Sequence, residues 1–185
     1  MHTCKLCKSR DTITYKHPRF DMVFHECLNC QVIYKDRKYR VSKEKEKLIY
    51  DQHQNSLDNL GYVNYLKNFL DAAVFPFIKN GKTLDFGSGP TPVLAHILNE
   101  TDQFKCDIYD YYYAKNEKAL EHKYDLITSI EVFEHLDDPL KVLNKFHEIL
   151  NESGIVSIMT LFHPKDKNAL FDWFYIRDPS HITFY

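Results

Sequence analysis

Glycine is scarce in this chain, with five among 185 residues, and tryptophan occurs once. No internal repeat and no low-complexity tract is present, which excludes a repeat array. The chain has no apolar run near twenty residues and no positive-then-apolar leader. The expectation is therefore a cytoplasmic protein that neither crosses a membrane nor enters a secretory route. Five cysteines without such a leader argue against a disulfide framework and for a reducing compartment.

A hydrophobic fraction of 44% and an aromatic fraction of 15% suffice for a packed core. The length fits one medium α/β domain plus a small appendage. The net charge of −2 is unevenly placed: residues 1–49 hold twelve Lys/Arg against six Asp/Glu, and residues 50–185 hold twelve against twenty. The basic first part suits contact with something acidic, nucleic acid included; a solvated face is the plainer alternative.

Cys4-Lys5-Leu6-Cys7 and Cys27-Leu28-Asn29-Cys30 are two C-x2-C knuckles. Each aims two thiolates at one point, and the two together close a tetrahedron around Zn²⁺. Four sulfur ligands leave no open position for water, so such a site is structural. A segment this short, with few large apolar side chains, depends on the metal for much of its stability. Cys106 stands apart and reads as a core residue.

The expected domains are a zinc ribbon over 1–40, a helical covering segment over 41–80 and an α/β domain over 81–185. Ser42 is placed to cap a short helix. Asp58 to about Phe75 carries apolar residues at helical spacing (Leu60, Val63, Leu66, Leu70, Val74) and stops before Pro76. Beyond Lys82, strands at 83–86, 104–109, 124–130 and 155–159 alternate with helices. Thr91 and Pro92 open one helix; Leu140, Leu143, Phe146 and Leu150 mark another. This order predicts a doubly wound, mostly parallel sheet.

Asp85-Phe86-Gly87-Ser88-Gly89-Pro90 lies where the first of these strands meets its helix, the carboxyl edge at which open α/β sheets bind ligands. A dinucleotide turn would carry a third glycine where Pro92 stands. Asp85 is a poor neighbour for pyrophosphate and a good one for a cationic amino-acid end. Asp110, closing the second strand, is positioned for ribose hydroxyls. A cofactor with a ribose and a cation but no phosphate fits all three.

That hexapeptide resembles motif I of class I S-adenosylmethionine-dependent methyltransferases, and Asp110 matches the acidic residue that closes their second strand. Tyr124-Asp125-Leu126-Ile127-Thr128-Ser129-Ile130-Glu131-Val132-Phe133-Glu134-His135 is similar to their strand-four motif. The resemblance covers about residues 50–185 and implies a Rossmann-like fold. It implies S-adenosylmethionine held by Asp85, Gly87, Ser88, Gly89, Asp110 and Tyr111, and methyl transfer to a small-molecule acceptor. Two departures accompany it. Thr91 replaces the third motif glycine, and the stretch 111–123 is too short for the family's usual helix and third strand. The family's closing C-terminal hairpin is not found before Tyr185.

Glu131, Glu134 and His135 follow the fourth strand, with His135 as the candidate general base. The alternative role for Glu134 and His135 is to orient the loop before Pro139. The E-x-x-E-H pattern also resembles that of small-RNA 3′-end methyltransferases and some quinone O-methyltransferases, which implies Mg²⁺ or Mn²⁺ at Glu131, Glu134 and His135. His163 or His181 would add a further ligand. Tyr50 to Ser56 with Gly61-Tyr62 is expected over the cofactor and acceptor; a solvated linker is the rival reading. Asp172 to Tyr175 and Arg177 to Tyr185 are expected in the acceptor wall or, equally, in the core. The rival function is an RNA- or partner-binding module whose methyltransferase fold only senses cofactor, or an RNA methyltransferase.

Overall fold

The computed structural model describes residues 2–53 and 55–185; Gln54, within the polar covering segment, lies outside them. The chain divides into two compact units. One comprises Met1–Ile49, Val132–Val142 and Thr160–Tyr185; the other comprises Tyr50–Glu131 and Leu143–Met159. Among the described residues no helix is long and apolar enough to cross a membrane.

The first unit is built on an antiparallel sheet of β1 (Thr12–Lys16), β2 (Val23–Cys27), β3 (Ile33–Lys35) and β8 (Thr183–Phe184), in the order β1-β2-β3-β8. Both cysteine knuckles close in the same way. Lys8 and Gln31, each directly after a knuckle, take left-handed φ of 61° and 63°. Each donates its backbone N–H to the carbonyl of the knuckle's first cysteine, at 3.1 Å for Lys8 to Cys4 and 2.8 Å for Gln31 to Cys27. Phe24 and Ile33 from the ribbon strands pack with Leu170, Tyr175, Ile176 and Phe184. The short ribbon thus takes apolar partners from the far end of the chain. Ile33 opposes Phe184 and Tyr34 opposes Thr183 in the β3–β8 ladder. Trp173 also packs against this cluster, 4.9 Å from the Tyr175 ring, which is the core-packing alternative for that aromatic segment. Residues 132–142 and 160–185, grouped by sequence with 81–131, therefore belong to the compact unit of the cysteine knuckles.

The second unit carries a parallel sheet of β4 (Gly81–Phe86), β5 (Phe104–Tyr109), β6 (Tyr124–Ile130) and β7 (Leu150–Met159), ordered β5-β4-β6-β7. Side chains alternate across a sheet, and the registers align Thr83 with Cys106 and Leu126, and Leu84 with Asp107 and Ile127. The face of Leu126, Cys106 and Ile130 packs on α2 (Leu60–Ala73) and α3 (Val93–Asn99) through Leu66, Phe69, Leu70, Val93, Leu94 and Leu98. The opposite face carries Phe86, which stacks on Tyr109 at 5.2 Å and meets Phe146 of α4 (Pro139–Ile149) edge-on at 5.0 Å. Helices thus cover both faces of a parallel sheet in a Rossmann-like arrangement. Among the described residues the β5–β6 connection holds one 3-10 turn, Glu117–Glu121, and no strand.

Local boundaries differ by small steps. The Ser42 carbonyl accepts from Glu46 N–H at 2.9 Å, opening α1 (Lys43–Tyr50) as expected. The side chain of Asn59 caps α2, and Leu60, placed by spacing on its buried stripe, is 73% exposed while Phe69 is buried. Pro92, not Thr91, is the capping residue of α3. β7 begins at Leu150 rather than Ile155, with an irregular register opposite Tyr124 and Leu126.

Candidate cofactor and catalytic sites

The turn after β4 is shaped by two glycines in the left-handed region, Gly87 at φ 88° and Gly89 at φ 68°, where a side chain would be strained. The Tyr109 carbonyl at the end of β5 accepts from Gly87 N–H at 2.7 Å, and Asp110 Oδ2 accepts from Gly89 N–H at 2.9 Å. Asp110 Oδ1 in turn accepts from the N–H groups of Tyr112 and Tyr113, at 2.8 and 3.0 Å. One carboxylate thus ties the glycine turn to the chain leaving β5. Two carboxylate oxygens accept more bonds than these three, so capacity for a ligand hydroxyl remains.

Three observations show that these residues fit a cationic, hydroxyl-bearing cofactor. A Cβ added at Gly89 would meet nothing within 4 Å, so the turn opens onto free space. Ser88 Oγ is buried and finds no partner among the described residues. Asp85 is buried, and burial pushes its carboxyl up to about 7, with the charge of Asp110 adding to the rise and the Thr128 hydroxyl opposing it. Thr128 Oγ1 donates to Asp85 Oδ1 at 3.3 Å from the paired strand. A carboxylate buried with one hydroxyl for support is stabilised by a positive group. Tyr111 stands half exposed, edge-on to Tyr112 at 4.9 Å.

The covering segment reaches this edge within the same unit. Tyr113 donates its hydroxyl to Asp51 Oδ1 at 2.6 Å, and Tyr50 meets Tyr112 edge-on at 5.7 Å. Tyr62 on α2 has its hydroxyl pushed up to about 12 by burial and by the charges of Asp85 and Glu131. Tyr65 donates to Glu131 Oε1 at 3.1 Å. Glu131 itself takes φ 52° just past β6, a costly conformation for a residue with a side chain.

Glu134 and His135 lie on a 3-10 turn, Phe133–His135, in the unit of the cysteine knuckles. Glu134 is fully buried; its Oε2 accepts from Thr160 Oγ1 at 3.0 Å and its backbone carbonyl from Ile182 N–H at 2.8 Å. Because carbonyl oxygens only accept, His135 donates Nδ1–H to Ser180 O at 3.1 Å, and His181 donates Nδ1–H to Tyr175 O at 2.9 Å. That leaves each Nε2 as a lone pair when the rings are neutral. The rings cross edge-on at 4.7 Å, and His135 Nε2 is 3.7 Å from Glu134 Oε1. Glu134, His135 and His181 each offer a ligand atom, all within 4.8 Å of one another. His163 is not among them, as its Nε2 lies 2.8 Å from Gln31 O. Glu131 is also outside that group.

The four knuckle sulfurs gather within 4.8 Å, with Cys4 to Cys30 and Cys7 to Cys27 at 3.5 Å. A Zn–S length of about 2.3 Å gives a tetrahedral edge of about 3.8 Å, so the donor set fits a four-thiolate metal.

A model of the methyltransferase domain family matches residues 59–185. The chain belongs to that family. Among solved structures it is similar to coclaurine N-methyltransferase bound to N-methylheliamine and SAH. That likeness has 16% identity and a TM-score of 0.48, over 72% of this chain and 48% of the other. It is also similar to the plantazolicin methyltransferase BpumL in complex with a pentazolic desmethylPZN analog and SAH. Here the identity is 15% and the TM-score 0.35, over 69% of this chain and 60% of the other. The chain thus spans about half of the first structure and three-fifths of the second. No curated protein matches it.

Within this methyltransferase domain, sequence reading missed Thr128, Tyr65 and the Asp51–Tyr113 bond. Thr128 meets Asp85 through the register that pairs them across β4 and β6. Only the acid-plus-tyrosine content of residues 50–65 hinted at the others.

Proposed function

We propose that the chain transfers a methyl group from S-adenosylmethionine to a nucleophile on a small-molecule acceptor. The observation that carries this reading is the buried Asp85 carboxyl beside an open glycine turn held by Asp110. Asp85 receives the cationic amino end, the Ser88 hydroxyl and the two glycines of the turn line the cofactor, Asp110 accepts from the ribose and Tyr111 flanks it. S-adenosylmethionine supplies a methyl already activated on a sulfonium, so the protein has to orient the acceptor and take up its proton. His135 is the base. Its Nδ1–H is held by Ser180 O, which leaves Nε2 to accept. Zn²⁺ on Cys4, Cys7, Cys27 and Cys30 holds the ribbon.

A metal variant has its own support. His135 and His181 both turn Nδ1–H to a backbone carbonyl, and each offers a ligand atom within 4.8 Å of one on Glu134, the outer-sphere pattern of metal-binding histidines. Mg²⁺ or Mn²⁺ there would supply Lewis-acid polarisation of an acceptor oxygen. Glu134, His135 and His181 would hold it, while Glu131 is engaged by Tyr65.

The test is a methyl-transfer screen over cell extract with wild type and His135→Ala. The variant keeps cofactor affinity and loses turnover by ~10²-fold or more, the scale of a general base. Chelation that silences wild type while the thiolate zinc stays bound, with turnover restored by Mg²⁺ or Mn²⁺, selects the metal variant. A His135→Ala protein with wild-type turnover on its acceptor contradicts both roles for this residue.

A further inference from the structure

A cleft of about 180 Å³ opens in the unit of the cysteine knuckles, and neither the cofactor turn nor the Glu134–His135 turn lines it. Two chemistries compete for it. His2, His25 and Asp36 each place a ligand atom within 4.8 Å of the others, which points to a cation. The His25 and Asp36 atoms are already committed, however. His25 shares Nδ1 with Thr14 Oγ1 and Nε2 with Asp36 Oδ2, both at 2.8 Å, and Asp36 Oδ1 accepts from Lys38 N–H at 2.9 Å.

Charge decides between them. The lining holds four cations, Lys5, Lys35, Arg37 and Arg40, against the two carboxylates of Asp36 and Asp137. Lys35 is spent on the carbonyls of Asp178 and Pro179, at 2.9 and 3.1 Å. Lys5 and Arg40 share the single carboxylate of Asp137. Arg40 is also fixed from behind, its Nε donating to Lys35 O at 3.3 Å. Arg37 is exposed and pairs with no carboxylate among the described residues. Two cations held together over one shared carboxylate, with a third beside them, disfavour a metal ion and favour a further anion.

We propose that this cleft binds the phosphate head of a phosphorylated small molecule, with Arg37, Arg40 and Lys5 as donors. Guanidinium groups match phosphate oxygens in pairs. The volume is below the roughly 300–1,000 Å³ of pockets that engulf a whole drug-sized ligand. It therefore takes the charged head and leaves the rest of the molecule outside.

The test is calorimetric titration of the zinc-loaded full chain with inorganic phosphate and with glycerol phosphate, at low salt where screening is weak. One saturable site is expected for both. Arg37→Ala, at an exposed position, weakens binding about ten-fold, and Asp137→Asn tightens it several-fold by releasing Lys5 and Arg40. A merely structural role for Asp137 does not produce that tightening. Wild type without saturable phosphate binding overturns the proposal, as does an Arg37→Ala protein that binds as wild type or an Asp137→Asn protein that binds no tighter. Phosphate bound with glycerol phosphate rejected also overturns it. So does an oligouridylate bound while both small phosphates fail, which would mark a nucleic-acid surface, and so does saturable Mn²⁺ binding that broadens the His2 and His25 ring resonances.

Discussion

The parallel-sheet unit draws its core from α2, α3 and the strands they cover, all within 50–131 and 143–159. The knuckle unit assembles three segments, and its buried apolar core comes from both ends of the chain: Phe24 and Ile33 from one, Ile176 and Phe184 from the other. One unit is stabilised by apolar area on a periodic framework; the other combines a thiolate cluster with a small interlocked core. The Glu134–His135 turn lies in the second unit. Ser180, Ile182 and Tyr185 bond it through side chain or backbone, and Thr183 bonds Leu136 directly after it. The proposed base is thus positioned by the same segment that completes the ribbon sheet.

If that contrast is right, Cys27→Ser has the largest effect. Apparent zinc affinity in such sites is of order 10–16 kcal/mol, more than a small unit's whole stability. Metal analysis should find the bound zinc lost. Hydrogen exchange should show protection lost not only over 12–35 but also at Thr183–Phe184, while β4–β7 stay protected. Exchange confined to residues 1–40 would break the comparison.

Phe184→Ala sharpens it from the other end. Removing a fully buried aromatic costs about 3–5 kcal/mol, and Phe184 is 0% exposed. Thermal melts followed by metal release should show the ribbon loosening first. A variant that lowers only the parallel-sheet transition contradicts the packing described.

Asp85→Asn concerns the other unit, and its effect is a gain that appears only as pH rises. The folded carboxyl sits at about 7, above its unfolded value of 3.8. The folded state therefore holds the extra proton between those values, and this group's contribution falls as pH rises through that window. The variant should gain over wild type in Tm at pH 8 and gain less at pH 5. Equal gains at both pH values would mean that Asp85 is not the titrating group.

The parallel-sheet unit was legible because its signals are local: alternating strands, a glycine turn and an acid closing the next strand. The knuckles were legible because ligand spacing is local too. β8 was not, since a two-residue strand carries no periodicity, and its partner β3 lies at the opposite end of the chain. Thr128 was hidden for the same reason, its bond to Asp85 being set by strand register over a separation of 43 residues. His181 and His163 looked alike as candidate ligands; the carbonyl of Gln31 on a distant knuckle separates them.

Whether the open turn between Asp85 and Asp110 holds S-adenosylmethionine is decided by calorimetric titration of the full chain with that cofactor. One saturable site is predicted, weakened about ten-fold or more by Asp110→Ala through loss of charge-assisted hydrogen bonds, with nicotinamide dinucleotides failing to compete. No saturable binding in wild type, or unchanged affinity in a folded Asp110→Ala protein, would contradict it.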